Sequence, residues 1–276
     1  MIQIDNLTFS YAGIGGYNIY QGLELKIAPG HIYGLLGKNG VGKSTLFRLI
    51  TGVNKATSGT IRTLGFDPWE RRPEMLREIF LIPEEMPFFD VDIVKFSELY
   101  GFFYPKFDRK AFSENLEMFE IPPKTLLSRM SQGQRKKAMI AFALACNTKI
   151  LLLDEPTNGL DIPSKRTFRA CFERSHNNER SVIVSTHQVR DLEELIDAVI
   201  VANKKKVVLN ALVSELLERY RFGEIDMDVE AVYAETAWNH RYGVVKRAPG
   251  EKPEGRMDLE VLFCAAVAGV ELMGGV

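Results

Sequence analysis

The sequence predicts an α/β fold with a parallel sheet at its centre. Three observations carry this. Apolar runs over 31–36, 150–153 and 181–185 are continuous, as in strands buried on both faces. Helical patterns over 134–145 and about 163–173 alternate with them. A glycine-rich loop, Gly37 to Ser44, lies between the first of these strands and a helix expected to start near Lys43.

Each element follows in order. Residues 2–9 (IQIDNLTF) and 23–27 (LELKI) alternate apolar and polar side chains, the pattern of half-buried strands, and Ala28, Pro29 and Gly30 close the second with a turn. Residues 85–130 are rich in aromatics and predict a mostly helical subdomain. Ile93, Phe96, Tyr100 and Phe103 fall at helical spacing and are expected to form its core. Phe88, Phe89, Phe102 and Tyr104 lie off that stripe, so an exposed apolar groove is expected around Phe88 and Phe89. Beyond about Leu216 the pattern weakens: short strands are expected over 226–233 and 242–246, a flexible turn over 249–255, and a small helix over 259–268.

Composition bounds the function. The 276 residues contain 46% hydrophobic and 26% charged side chains, ordinary for a globular chain. Basic and acidic residues number 35 and 36, so no global basic field exists to attract nucleic acid, and no nucleic-acid partner is expected. No segment approaches the roughly 20 apolar residues that span a bilayer. No secretory signal is read at the N-terminus. Cys146, Cys171 and Cys264 lack disulfide or metal-ligand spacing and are expected to be buried reduced thiols, which points to the cytoplasm.

The loop Gly37-Lys38-Asn39-Gly40-Val41-Gly42-Lys43-Ser44 satisfies G-x-x-x-x-G-K-[ST] at every fixed position and is followed by Thr45. Its glycines let backbone N–H groups point at phosphate oxygens, and the helix start adds a favourable dipole. Lys43 is expected on the β- and γ-phosphates and the Ser44 hydroxyl on Mg²⁺. Asp154 and Glu155 end the apolar run 150–153, where ligands gather outside the carboxyl ends of parallel strands. Asp154 is expected to hold the metal and Glu155 to polarise the attacking water.

Met130-Ser131-Gln132-Gly133-Gln134 then precedes the helix leading to Asp154, and this resembles the signature of ABC ATPases, usually Leu-Ser-Gly-Gly-Gln. The resemblance extends over about 1–215, and Tyr104-Pro105-Lys106-Phe107-Asp108 resembles small bacterial export-type members. It implies a mixed sheet core with an N-terminal antiparallel β region, a helical signature subdomain over about 85–137, a nucleotide-binding domain over 1–216, and a C-terminal α+β accessory region over 217–276. Tyr11 resembles the aromatic residue that stacks on adenine. Asp161, within Thr157-Asn158-Gly159-Leu160-Asp161, resembles the D-loop residue, and His187 the switch histidine that contacts the γ-phosphate.

The family also implies that two ATP molecules are sandwiched between two subunits. Ser131, Gly133 and Gln134 would then touch the partner's ATP, and an isolated monomer would hydrolyse poorly. ATP hydrolysis with Mg²⁺ is implied, driving a separate integral membrane permease, so the chain would sit peripherally at the inner face of the cell membrane. The rival reading is a soluble ABC ATPase of an assembly or regulatory system. Two departures stand out. Gln132 replaces the first signature glycine, and Glu84 occupies the position of the Q-loop glutamine near the metal, adding negative charge there.

Overall fold

The computed structural model describes residues 1–11, 17–87, 89–175, 177, 179–188, 193–248, 250–253 and 255–273. The chain opens with β1 (Ile2–Ser10) and β2 (Asn18–Ile27), paired antiparallel with Ile2 opposite Ile27. Then come β3 (Ile32–Leu36), α1 (Lys43–Ile50) and β4 (Ser58–Thr63). β4 joins the other edge of β1, giving the order β2-β1-β4. Ile2, Ile4, Leu7 and Phe9 of β1 are buried, the alternation of a sheet packed on one face with a one-residue slip at the irregularity between Ile4 and Leu7.

After α2 (Pro73–Leu76) and β5 (Ile79–Ile82), the helical region contains α3 (Ile93–Tyr100), α4 (Arg109–Met118) and α5 (Gln132–Ala145). Asp92 and Asp108 cap α3 and α4 by accepting backbone N–H bonds. β6 (Ile150–Asp154), α6 (Ile162–Ser175), β7 (Ser181–Thr186), β8 (Ala198–Asn203) and β9 (Lys206–Leu212) complete the central sheet. Its order is β5-β6-β7-β3-β8-β9. All pairs are parallel except β8–β9, so the sheet is mixed. β3, β6 and β7 are buried at every position, as their apolar runs require.

Two cores flank this sheet. One fills the space to the small antiparallel sheet and α1, with Leu35, Phe47, Leu152 and Ile183 at its centre. The other packs the helical region against the opposite face. Phe142 on α5 is its hub, within about 6 Å of the rings of Phe80, Phe96, Tyr104, Phe107 and Phe112. The C-terminus of α5 is closed by Arg180, 2% exposed, whose guanidinium donates to the carbonyls of Ala143 (3.2 Å), Leu144 (3.3 Å) and Thr148 (3.0 Å). A cation on the last carbonyls of a helix is favourable to its dipole. Burial pushes this arginine down to about 10.

The C-terminal part consists of α7 (Val213–Arg219), β10 (Tyr220–Ile225), β11 (Tyr233–Ala237), β12 (His240–Lys246) and α8 (Leu259–Val267), the strands ordered β10-β12-β11. Val244, Leu259 and Leu262 share the helical-side core with Val199, Val201 and Leu209. The extension therefore packs on the central sheet and buries apolar area with it.

Four expectations need correction. Residues 226–232 form no strand; the Arg241 guanidinium instead takes the carbonyls of Asp226 (3.1 Å), Met227 (3.0 Å) and Val229 (2.8 Å). Satisfied by a side chain, those carbonyls need no ladder. Tyr100 (39%) and Phe103 (58%) are exposed and lie outside the core, because α3 ends at Tyr100 and a 3-10 turn over Gly101–Phe103 changes the period from 3.6 to 3. Phe89 packs edge-on against Phe96 and Tyr100 at 5.0 and 5.9 Å and does not line an open groove, while Phe88 lies outside the described residues. Cys146 and Cys171 are buried, but Cys264 is only partly so.

Candidate functional site

The site forms at the carboxyl ends of β3 and β6, where the sheet delivers its loops to one edge. Leu36 hands the chain to the glycine-rich loop, and Gly42 ends that loop with φ at 111°. A side chain there would be strained, and a Cβ would lie 2.7 Å from Ile19 Cγ2. The Tyr20 hydroxyl donates to the Gly42 carbonyl at 2.9 Å and fixes the turn. α1 then begins at Lys43, with no side-chain cap on its first-turn N–H groups.

Lys43 is 7% exposed. Its ammonium donates to the Gly37 carbonyl at 2.7 Å and sits 3.8 Å from Glu155 Oε1. Burial lowers its pKa, opposed by the charges of Glu155, Asp154 and Glu84. β6 places Asp154 and Glu155 beside it, each 5% exposed. The Ser185 hydroxyl, on the neighbouring β7, donates to Asp154 Oδ1. Glu155 has left-handed backbone, φ 47°, an unusual conformation for a residue with a Cβ. Its N–H donates to Ser185, at 3.1 Å to the carbonyl and 3.2 Å to the hydroxyl. His187, just past β7, brings Nδ1 to 2.9 Å from Glu155 Oε1.

These groups line a cavity of about 650 Å³, within the range of small-molecule sites. Of the residues singled out in the sequence, Tyr11, Asn39, Gly40, Gly42, Lys43, Ser44, Thr45, Glu84, Asp154, Glu155 and His187 meet there. Gly37 contributes its carbonyl to Lys43. Tyr11 is held by hydrogen bonds to Thr45 (3.1 Å) and Asn54 (3.3 Å), its ring edge-on to Phe9.

Ser131, Gly133 and Gln134 do not line this cavity. Ser131 and Gln134 form a reciprocal capping box at the start of α5, at 3.2 and 3.0 Å, and both are exposed. A Cβ on Gly133 would lie 3.0 Å from the Gly159 carbonyl, so this turn rests on the loop after β6. Asp161 is exposed and caps α6, accepting the Ser164 N–H at 2.9 Å.

Ser44, Asp154 and Glu84 offer oxygen donors, the chemistry a hard divalent cation prefers. Among the described residues no group of three or more acidic, His or Cys side chains is placed to hold a metal without help. That fits Mg²⁺, which takes one or two protein ligands and completes its shell with water and substrate phosphates.

Three residues were missed in the sequence. Ile19 reaches the cavity wall from β2 with no motif to mark it, and Ser185 looked like strand core. Lys136, wholly buried on α5, donates to the carbonyls of Glu155 (2.8 Å) and Asn158 (3.2 Å). Its signal was a charge two residues ahead of the apolar run 138–145.

The comparisons with known proteins agree with this geometry. The family model described as ABC transporter matches residues 20–158. The chain is 30% identical over 214 residues to the ABC transporter ATP-binding protein NatA of Bacillus subtilis, covering 74% of this chain and 86% of that one. It is 31% identical over 225 residues to the bacitracin transport ATP-binding protein BcrA of Bacillus licheniformis, covering 80% and 72%. A solved structure of an ATP-binding subunit of an ABC transporter superposes with TM-score 0.70 at 19% identity, covering 79% of this chain and 92% of that one.

Proposed function

This chain belongs to the ABC transporter family of ATP-binding, ATP-hydrolysing proteins, and on that premise we propose that it is the MgATP-driven subunit of an exporter, working as a head-to-tail dimer beneath a separate membrane permease. The observation that carries the reading is the convergence of Lys43, Ser44, Asp154 and Glu155 on one cavity at the strand ends. On this reading Lys43 and the loop N–H groups hold the β- and γ-phosphates. Tyr11 receives the adenine. Ser44, Asp154 and Glu84 would hold Mg²⁺, which when bound neutralises charge developing on the phosphoryl oxygens. Glu155 orients and polarises water, and His187 lies within reach of the γ-phosphate while ordering the Glu155 carboxylate. Residues 1–216 form the nucleotide-binding domain, 85–137 its helical part, and 217–276 an accessory unit.

The dimer is supported by what the cavity lacks. Ser131, Gly133, Gln134 and Asp161 are clustered by motif yet sit outside it, and Ser131, Gln134 and Asp161 are exposed. A second copy would place them over the other nucleotide. Mg²⁺-dependent ATPase activity tests this. Specific activity is expected to rise with protein concentration and to fall about 100-fold on chelation with EDTA, since positioning and charge stabilisation carry phosphoryl transfer. Activity independent of both would remove the dimer and the metal.

The permease is supported by an apolar surface on the helical subdomain. Among the described residues no helix is long and apolar enough to cross a membrane, so a membrane-spanning partner would supply the span. Leu99 (50%), Phe102 (86%) and Phe103 (58%) are exposed beside Val94 and Tyr100. We place the docking site here and not at Phe89. Phe102→Ser with Phe103→Ser is expected to leave ATP turnover of the isolated subunit within twofold and to abolish co-purification with the permease, because large aromatics dominate interface energies. Retained co-purification would move the site elsewhere. The name of a relative such as BcrA, a bacitracin transport protein, supports a transport role.

A further inference from the structure

We propose that Lys136 is a positioning residue for hydrolysis, which holds the Glu155 backbone in its working geometry and ties it mechanically to the Ser131 end of α5. The proposal rests on the reading of Glu155 as the residue that polarises water. Lys136 is 0% exposed. Among the described residues its ammonium has no carboxylate oxygen within ion-pair distance; its two bonds go to main-chain carbonyls, Glu155 at 2.8 Å and Asn158 at 3.2 Å. Burying a charge is costly, and burial lowers the pKa of this lysine, with Glu84, Glu155 and Asp154 opposing from a distance. An apolar residue would satisfy packing at that position without the cost. What the lysine adds is a clamp.

The clamp acts where the backbone is least comfortable. Glu155 occupies the left-handed region at φ 47°, which needs support from its surroundings. Its N–H is held by Ser185, at 3.1 Å to the carbonyl and 3.2 Å to the hydroxyl. Its carbonyl accepts from both Asn158 N–H at 3.2 Å and Lys136. Ser185 and Lys136 therefore grip the same residue from β7 and α5. With both in place, the carboxylate meets His187 at 2.9 Å.

The second consequence is coupling. Lys136 and the N-cap Ser131 belong to one helix, about 7.5 Å apart along its axis at 1.5 Å per residue. A shift of the Ser131 end is transmitted by a rigid rod to the Glu155 and Asn158 carbonyls. Engagement of a second subunit at Ser131 would thus bear directly on this subunit's own hydrolytic carboxylate.

Steady-state kinetics of the full chain with MgATP test the assignment. K136M removes both donors at similar volume, and K136Q keeps one shorter neutral donor. We expect kcat to fall about tenfold or more in K136M and several-fold in K136Q, with KM for ATP within twofold in both, as for a misplaced group away from the binding contacts. Should K136M fail to fold, K136Q decides by the same split. Wild-type kcat in either folded variant, or a KM that rises in step with the loss of kcat, overturns the proposal. E155Q is measured alongside; full turnover there overturns the reading of Glu155 beneath it.

Discussion

Glu155→Gln is expected to lower ATP turnover by about three orders of magnitude while leaving ATP bound, the loss expected when a positioned general base is removed. The substitution keeps the shape of the side chain. It also keeps an oxygen that can face His187, now 2.9 Å from the carboxylate. What it removes is the negative charge that polarises water. The same charge sits 3.8 Å from Lys43 and beside Asp154, where a triphosphate must enter. Neutralising it relieves like-charge repulsion, so nucleotide affinity is expected to hold or improve. Slow hydrolysis with tight binding would hold two subunits closed around ATP. Gel filtration with MgATP is therefore expected to show a dimer for E155Q and a monomer for E155Q without nucleotide. Turnover within tenfold of wild type would remove Glu155 from its role.

The parts of this site that were legible in the sequence share a property: their chemistry is local. Lys43 and Ser44 are found because a phosphate loop is contiguous, and Asp154 and Glu155 because a buried strand must end somewhere and ends here in two acids. β3, β6 and β7 were equally plain, since parallel strands covered on both faces leave only apolar residues to read, whereas β5 and β8 were not read as strands. What was not legible depends on elements that meet only on folding. Ile19 reaches the loop because β2 crosses it, and no pattern in 18–27 says so. Lys136 shares a helical face with the buried Ile140 and Ala143, but nothing in the sequence shows that its partners are the main-chain carbonyls of Glu155 and Asn158. Phe103 fits a helical stripe that the helix does not live long enough to use. The alternating acids of 226–230 imitate an edge strand, but Arg241 reaches their carbonyls first.

Lys43→Ala is expected to weaken ATP binding by about two orders of magnitude, near 3 kcal/mol at 1.4 kcal/mol per tenfold, the worth of one to two charge-assisted bonds to phosphate. The charges around Lys43 explain the size of the effect. Three carboxylates, Glu84, Asp154 and Glu155, act on Lys43 as the cation among them. Without it, a triphosphate would meet those acids with only backbone dipoles and Mg²⁺ in opposition. The loss also has a pH signature. Burial lowers the Lys43 pKa, so the ammonium deprotonates at a lower pH than a free lysine would. Bound phosphate favours the charged form. ATP affinity should consequently fall as pH rises through the lowered Lys43 range, and calorimetry at alkaline pH should show proton uptake on binding. Lys43→Ala should lose both features together. A variant that kept wild-type affinity, or kept the alkaline decline at reduced affinity, would show that another group supplies the charge.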